Sequence, residues 1–198
     1  MGCSGHAMVV EDALSSSDIS VYGYFDKVEA GGAQIQFLGS ENEQQNMEWI
    51  KANDFVVAIG DNALRASMYK KWTAIIDYVP LSVIHSTSYI SKTAVLGDYV
   101  QILTNVVIHA RAKIGRGTIC NTASVIEHEC EVGEFSHVSV GAVLCGNVKV
   151  GSNTFIGANS VIKQGLRIGK NVVVGAGCVV LKNIPDNSKV VGNPMRFL

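Results

Sequence analysis

The sequence predicts two architectures in series, a small α/β domain over residues 1–80 and a parallel β-helix over 81–198. Two observations predict the β-helix. Stepping six residues at a time from Ile84 gives Ile90, Leu96, Ile102, Ile108, Ile114, Cys120, Ile126, Val132, Val138, Leu144, Val150, Ile156, Ile162, Ile168, Val174 and Val180, all aliphatic but for one cysteine. A second series lies two residues earlier (Ala94, Val106, Ala112, Ser124, Ser136, Ala142 and Ser160 among it) and is mostly small or β-branched, as a narrow interior requires. A fixed short period marks a solenoid, and hexapeptide spacing suggests a β-helix. The third observation is that this frame is absent before Pro80, where helix-like and strand-like runs alternate in the manner of an α/β domain with a mostly parallel sheet.

In the N-terminal region, Ala7 to Leu14 reads as a helix entered through Gly2-Cys3-Ser4-Gly5-His6. Ile19 to Phe25 reads as a strand stopping at Asp26-Lys27, and Glu43 to Lys51 as a helix. Phe55 to Ile59 reads as a buried strand ending at Gly60, Asn62 to Trp72 as a third helix, and Ala74 to Tyr78 as a short strand. Ligands of such sheets bind at the carboxyl ends of strands, where Ser4, Gly5, His6, Asp26, Lys27 and Gly60 lie. The glycines before the first helix are either an anion site or a plain tight turn. The strand expected to feed that loop is missing from the sequence, so either the start is truncated or the strand lies outside this chain.

In the repeat, three hexapeptides make one triangular coil, so residues 18 apart stack over about five and a third coils. The frame residue and the one two before it point inward, and the residue between points outward. The next three turn the corner, where glycines at the first of the three suggest permissive backbone angles. Cys120, Cys130 and Cys178 fall on inward positions and read as small core residues. The formal net charge of −1 gives no reason to expect a nucleic-acid partner, and no apolar run approaches the ~20 residues of a membrane helix. A cytoplasmic protein is the simplest expectation.

Chemistry concentrates between Ile126 and Val138, which hold two histidines and four carboxylates. His128 occupies a corner and His137 an outward position, so neither is expected to be spent on the core. A histidine beside a carboxylate suits general-base work, because the carboxylate fixes the tautomer and stabilises the charged ring. Either Glu127 or Glu129 could serve. A metal reading from His109, His128 and His137 lacks a dense ligand cluster, because His109 falls in a different column; no metal is expected.

With both halves in view, the chain resembles the bacterial sugar acyltransferases of the sialic acid O-acetyltransferase type. It is especially similar to UDP-4-amino-sugar N-acetyltransferases that make diacetamido-trideoxy sugars such as N,N′-diacetylbacillosamine. The resemblance rests on Gly2 to His6, on Ile59-Gly60-Asp61-Asn62 with Arg65, on Asn121 to Glu129, on Gly133 to Ala142, and on Gly192-Asn193-Pro194. It implies a Rossmann-like N-terminal domain and a left-handed β-helix forming a homotrimer, with acetyl-CoA in the groove between adjacent helices. It also implies His128 as general base with Glu129 behind it, and His137, Gly146, Ala158 and Ala176 along acetyl-CoA. Ser4, Gly5, His6, Asp26, Lys27 and Gly60 would surround the uridine nucleotide. The acetyl group would pass directly to a sugar 4-amino group with no acyl-enzyme and no metal. A GDP-linked amino sugar, a sialic acid hydroxyl, or a metal-dependent or non-catalytic β-helix trimer are the rival readings. Lys27, where relatives often carry a second acid, and Met195, where the tail usually has alanine, depart from the pattern.

Overall fold

The computed structural model describes residues 5–30, 35–76 and 79–198. The N-terminal region holds α1 (Gly5–Ser15), β1 (Gly23–Tyr24), β2 (Gln36–Phe37), α2 (Gln44–Lys51) and α3 (Asn62–Thr73), with β1 and β2 paired in parallel. Asp61 caps α3, its side chain accepting from the Leu64 amide at 2.8 Å. All three helices stand where the sequence placed them. The strands do not fill their expected spans. Ile19–Phe25 contributes only Gly23 and Tyr24 to a sheet, and Phe55–Ile59 forms no strand among the described residues. The Val57 carbonyl accepts from the Tyr99 hydroxyl and the Gln101 amide, both at 2.9 Å, and from the Ile59 amide at 3.0 Å. Ala74 and Ile75 turn rather than extend, and residues 77–78 of that expected strand lie outside the described residues.

From Val83 the chain winds as the hexapeptide frame predicts. Seventeen two-residue strands, β3 (Val83–Ile84) to β19 (Val179–Val180), recur every six residues and stack in parallel on three faces. Register is 18 residues throughout, as in Val107↔Val125↔Val143. Frame residues from Ile102 to Val180 are all buried in one continuous core, each worth roughly 1.5–3 kcal/mol for a full aliphatic side chain. At the open first coil Ile84 remains 39% exposed. At the other end β20 (Lys189–Val191) adds to the first face and turns back into the antiparallel β21 (Arg196–Phe197). Met195, between them, is buried against the core and closes the last coil.

The corner glycines serve a different purpose from the expected one. Gly97, Gly115, Gly133 and Gly151 do not adopt positive φ; a Cβ there would stand 2.5–2.6 Å from backbone of the next coil. Close approach between coils is what excludes a side chain. Positive φ belongs two residues later, at the third corner position, occupied mostly by asparagine or glycine.

The first face carries the outward residues Val83, Gln101, Ile119 and His137, and the N-terminal region covers it. Val10, Ala13 and Leu14 of α1 pack with Val83, Leu103 and Ile119, while Trp72, Ile50 and Val57 pack with Tyr99. Tyr69 of α3 stacks on Tyr99 and meets Phe135 edge-on, with ring centroids 5.3 and 5.4 Å away. The outward columns on the other two faces differ. The second is apolar (Tyr89, Val107, Val125, Val143, Val161, Val179), and the third is Val95 followed by the charged Lys113, Glu131, Lys149 and Arg167.

Candidate active site

His128 stands on the corner between the second and third faces, two residues past Ile126. Its side chain is 60% exposed, and Nδ1 lies 3.4 Å from Glu129 Oε2. A carboxylate can only accept, so Nδ1 carries the proton and Nε2 keeps its lone pair. No hydrogen bond occupies Nε2 among the described residues. Glu127 is committed elsewhere: it lies 3.8 Å from His109 Nε2 and accepts the His128 backbone N–H at 3.4 Å. The geometry thus separates two carboxylates that the sequence left equivalent.

Gly146 lies one coil above His128. A Cβ on Gly146 would come 2.5 Å from His128 Nε2, so the ring rests directly over that α-carbon. The coil register holds the pair, the Asn147 amide donating to the His128 carbonyl at 2.8 Å. The Gly146 amide donates to no acceptor among the described residues, while its carbonyl accepts from Gly165 at 2.9 Å. An imidazole nitrogen without a hydrogen bond among the described residues thus lies close to a backbone amide likewise without one, an arrangement that suits proton removal beside a developing oxyanion.

A second group forms beneath the N-terminal region. His6 Nε2 donates to Gln101 Oε1 at 2.8 Å, since the Gln101 amide is spent on Val57. The His6 and His137 ring centroids are 6.3 Å apart. His137 Nδ1 donates to the Gly60 carbonyl at 3.3 Å, and its Nε2 accepts from Asn121 Nδ2 at 3.0 Å. His137 is therefore buried and saturated, contrary to the expectation of a free outward side chain, because the N-terminal region covers its face. Burial, then the nearby Arg65 charge and His6, lower its pKa to about 4. Burial also lowers that of His6, against the raising effect of Gln101.

Arg65 ties this group together and is fully buried. Its guanidinium donates to the carbonyls of Gly117, Ile59, Gly60, Phe135 and Ser136 and to Asn62 Oδ1, at 2.7–3.1 Å. Burial lowers its pKa to about 10, so it stays charged at neutral pH. The sequence singled out Arg65 only as part of a motif. Its role as the inter-region clamp required the contact across 70 residues. Tyr99 and Gln101, which also bond across to the Val57 carbonyl, carried no sequence signal beyond their places in the coil.

Gly5 opens α1, and Asp26 and Lys27 follow β1, the Lys27 amide donating to Asp26 Oδ1 at 2.7 Å. Ser4 lies outside the described residues. Ala158 and Ala176 stack on successive coils at the corner between the first and second faces, the Gly177 amide donating to the Ala158 carbonyl at 2.8 Å. Asn121 is on that same corner. His128 and Gly146 are on the corner opposite the first face, so one chain does not bring them to His6, Gly60 and His137. Among the described residues no three metal-ligating side chains cluster. No helix among them is long and apolar enough to cross a membrane. A cavity of about 550 Å³ lined by Val10, Leu14, Tyr24, Phe25 and Phe55 lies within the N-terminal region, away from His128.

Comparison with known proteins fits this layout. Residues 1–72 match the family described as PglD N-terminal domain, and residues 147–182 match the hexapeptide repeat of succinyl-transferase. PerB from Caulobacter crescentus, solved with CoA and GDP-perosamine, superposes with a TM-score of 0.92 at 29% identity, over 100% of this chain and 94% of that one. The acetyltransferase domain of PglB from Neisseria gonorrhoeae FA1090, solved with acetyl coenzyme A, gives 0.92 at 27% identity over 100% and 96%. The solenoid is thus a left-handed β-helix of hexapeptide repeats. With these CoA- and acetyl-CoA-bound neighbours, the chain is an acyltransferase. More particularly, the chain is similar throughout its length to PglD-like hexapeptide-repeat acetyltransferases, as its motifs implied.

Proposed function

We propose that this enzyme transfers the acetyl group of acetyl-CoA to the 4-amino group of a nucleotide-linked 4-amino-4,6-dideoxy sugar. The observation that carries the reading is the His128–Glu129 pair with, one coil above it, the Gly146 amide, which has no acceptor among the described residues. The amine must be neutral to attack. His128 Nε2 takes its proton as nitrogen adds to the thioester carbonyl, and Glu129 stabilises the resulting imidazolium. The Gly146 N–H stabilises the tetrahedral oxyanion, a contribution of ~3 kcal/mol for one such donor. Collapse expels the CoA thiolate, and the proton on His128 can return to it. Both substrates bind together, so no acyl-enzyme is required.

The working unit in this reading is a homotrimer. Its support is the apolar outward column of the second face, flanked by His128 and Gly146 on one corner and Asn121, Ala158 and Ala176 on the other. Acetyl-CoA would lie between the His128 corner of one copy and the Ala158–Ala176 corner of the next. His137 would approach it through the Asn121 edge. His6, Gly60, Asp26 and Lys27, with Gly5 at the start of α1 and Ser4 before it in the sequence, would surround the nucleotide. A UDP-linked sugar is favoured by the motif resemblance. A GDP-linked sugar is favoured by PerB, whose structure holds GDP-perosamine.

The test is thiol release from acetyl-CoA with a panel of UDP- and GDP-linked 4-amino sugars. Release with at least one is expected, with most turnover lost in His128→Ala and acetyl-CoA binding kept. Acetyl-CoA binding without release for any acceptor, or near-normal turnover in His128→Ala, would overturn the reading. Sedimentation should give a trimer, which Val143→Glu on the second face should dissociate together with activity.

A further inference from the structure

We propose that Arg111 is a positioning residue for the base, acting through Glu129, whose carboxylate it divides with the His128 imidazole. The proposal rests on the reading of His128 as base. Arg111 lies one coil below Glu129 on the same corner, its Nη1 3.6 Å from Glu129 Oε1. The other oxygen, Oε2, is the one 3.4 Å from His128 Nδ1. One carboxylate thus has two partners, and each takes a different oxygen.

Backbone conformation supplies an independent argument. Fourteen third-corner positions, from Tyr99 to Gly177, hold a positive φ, and nine of them are asparagine or glycine. Those residues adopt the left-handed region readily, whereas other side chains sacrifice about 1 kcal/mol there. The five exceptions are Tyr99, Arg111, Ala123, Glu129 and Phe135. Tyr99 and Phe135 are explained by packing against Tyr69; nothing in the structure explains Ala123. Arg111 and Glu129 remain, stacked on one corner at φ 60° and 61°. Both long charged side chains are kept where asparagine would fit with less strain. Arg111 is 75% exposed, so packing does not account for it.

The chemical consequence concerns when His128 is free to accept a proton. A protonated ring cannot act as base, and a neighbouring carboxylate favours the protonated form. Arg111 draws part of that negative charge away while fixing the carboxylate plane. The titratable and charged groups around this centre are Glu127 and Glu129 on its own corner, His109 and Arg111 from the coil below, Cys145 and Lys149 from the coil above, and Lys113 and Glu131 beside them on the third face. Lys149 Nζ reaches the Glu129 carbonyl at 3.0 Å and Glu131 Oε1 at 2.9 Å, so its charge is directed to the third face.

The experiment is NMR titration of the His128 ring, assigned by its absence in His128→Ala, in wild type, Arg111→Asn, Arg111→Lys, Glu129→Gln and the Arg111→Asn/Glu129→Gln double variant. Arg111→Asn should raise the midpoint, because it removes a positive charge from the carboxylate that the ring faces. Its melting temperature should be equal to wild type or higher, because asparagine suits the backbone. Arg111→Lys should titrate near wild type. In the Glu129→Gln background the Arg111→Asn shift should shrink by at least half. Acetyl transfer should show the same displacement of its acidic limb, with a loss below the limb and none at pH 9. An unchanged or lowered midpoint in Arg111→Asn, or an equal shift with and without Glu129, would overturn the proposal. His128→Ala with full turnover would instead remove the base assignment while leaving the titration result to stand on its own.

Discussion

Gly146→Ala tests the assembled site most sharply. The backbone at Gly146 does not need positive φ, so alanine fits the fold. Its methyl group would nonetheless stand 2.5 Å from His128 Nε2 and 2.6 Å from Cε1. Carbon contacts settle near 3.5 Å, so the imidazole must retreat by about 1 Å. The ring is exposed and can move, which keeps the stability cost below about 1 kcal/mol. The chemistry has no such latitude, because a misplacement of about 1 Å at a reacting group lowers rate roughly a hundredfold. Steady-state thiol release should therefore show kcat down about a hundredfold, with an unchanged melting curve. In a His128→Ala background the same substitution should cost much less, since its effect passes through the ring. Turnover within threefold of wild type, or equal losses in the two backgrounds, would refute the reasoning.

Two further outcomes follow from the inter-region contact. Arg65→Ala leaves four acceptors without a partner among the described residues, the carbonyls of Ile59, Gly117 and Phe135 and Asn62 Oδ1, so the chain should lose about 3–5 kcal/mol in urea unfolding. Proteolysis should then release the N-terminal region while the β-helix stays intact; a loss below 1 kcal/mol would contradict the clamp. Stability should also fall with acid before any carboxylate titrates. Unfolded imidazoles take up protons below about pH 6.5, whereas buried His137 resists until about pH 4. The unfolded state thus gains protons across that window, worth on the order of 3 kcal/mol for this one group. His137→Gln should flatten the slope of melting temperature between pH 6.5 and 4, and an unaltered slope would exclude His137 as its source.

What the sequence determined by itself is the periodic half of the molecule. An aliphatic residue every six positions has one way to bury itself, so the coil, its register and its inward cysteines could be read from Ile84 to Val180 without coordinates. The His128 corner was legible for the same reason, since a regular background shows which side chains are free. Local signals also placed α1, α2 and α3. Tertiary structure decided the rest, because it depends on contacts between segments far apart in the chain. The Val57 carbonyl accepts from Tyr99 and Gln101, 42 and 44 residues further along the chain, and no local pattern reveals that. His137 looked outward and is buried, because outward on the first face means toward the N-terminal region. Glu127 and Glu129 were equivalent in one dimension. Stacking at 18 residues gave one to His109 and left the other between Arg111 and His128. Corner conformation, invisible in a list of residues, marks Arg111 and Glu129 as side chains held against their backbone preference. That is the point at which a scaffold read from periodicity becomes a site.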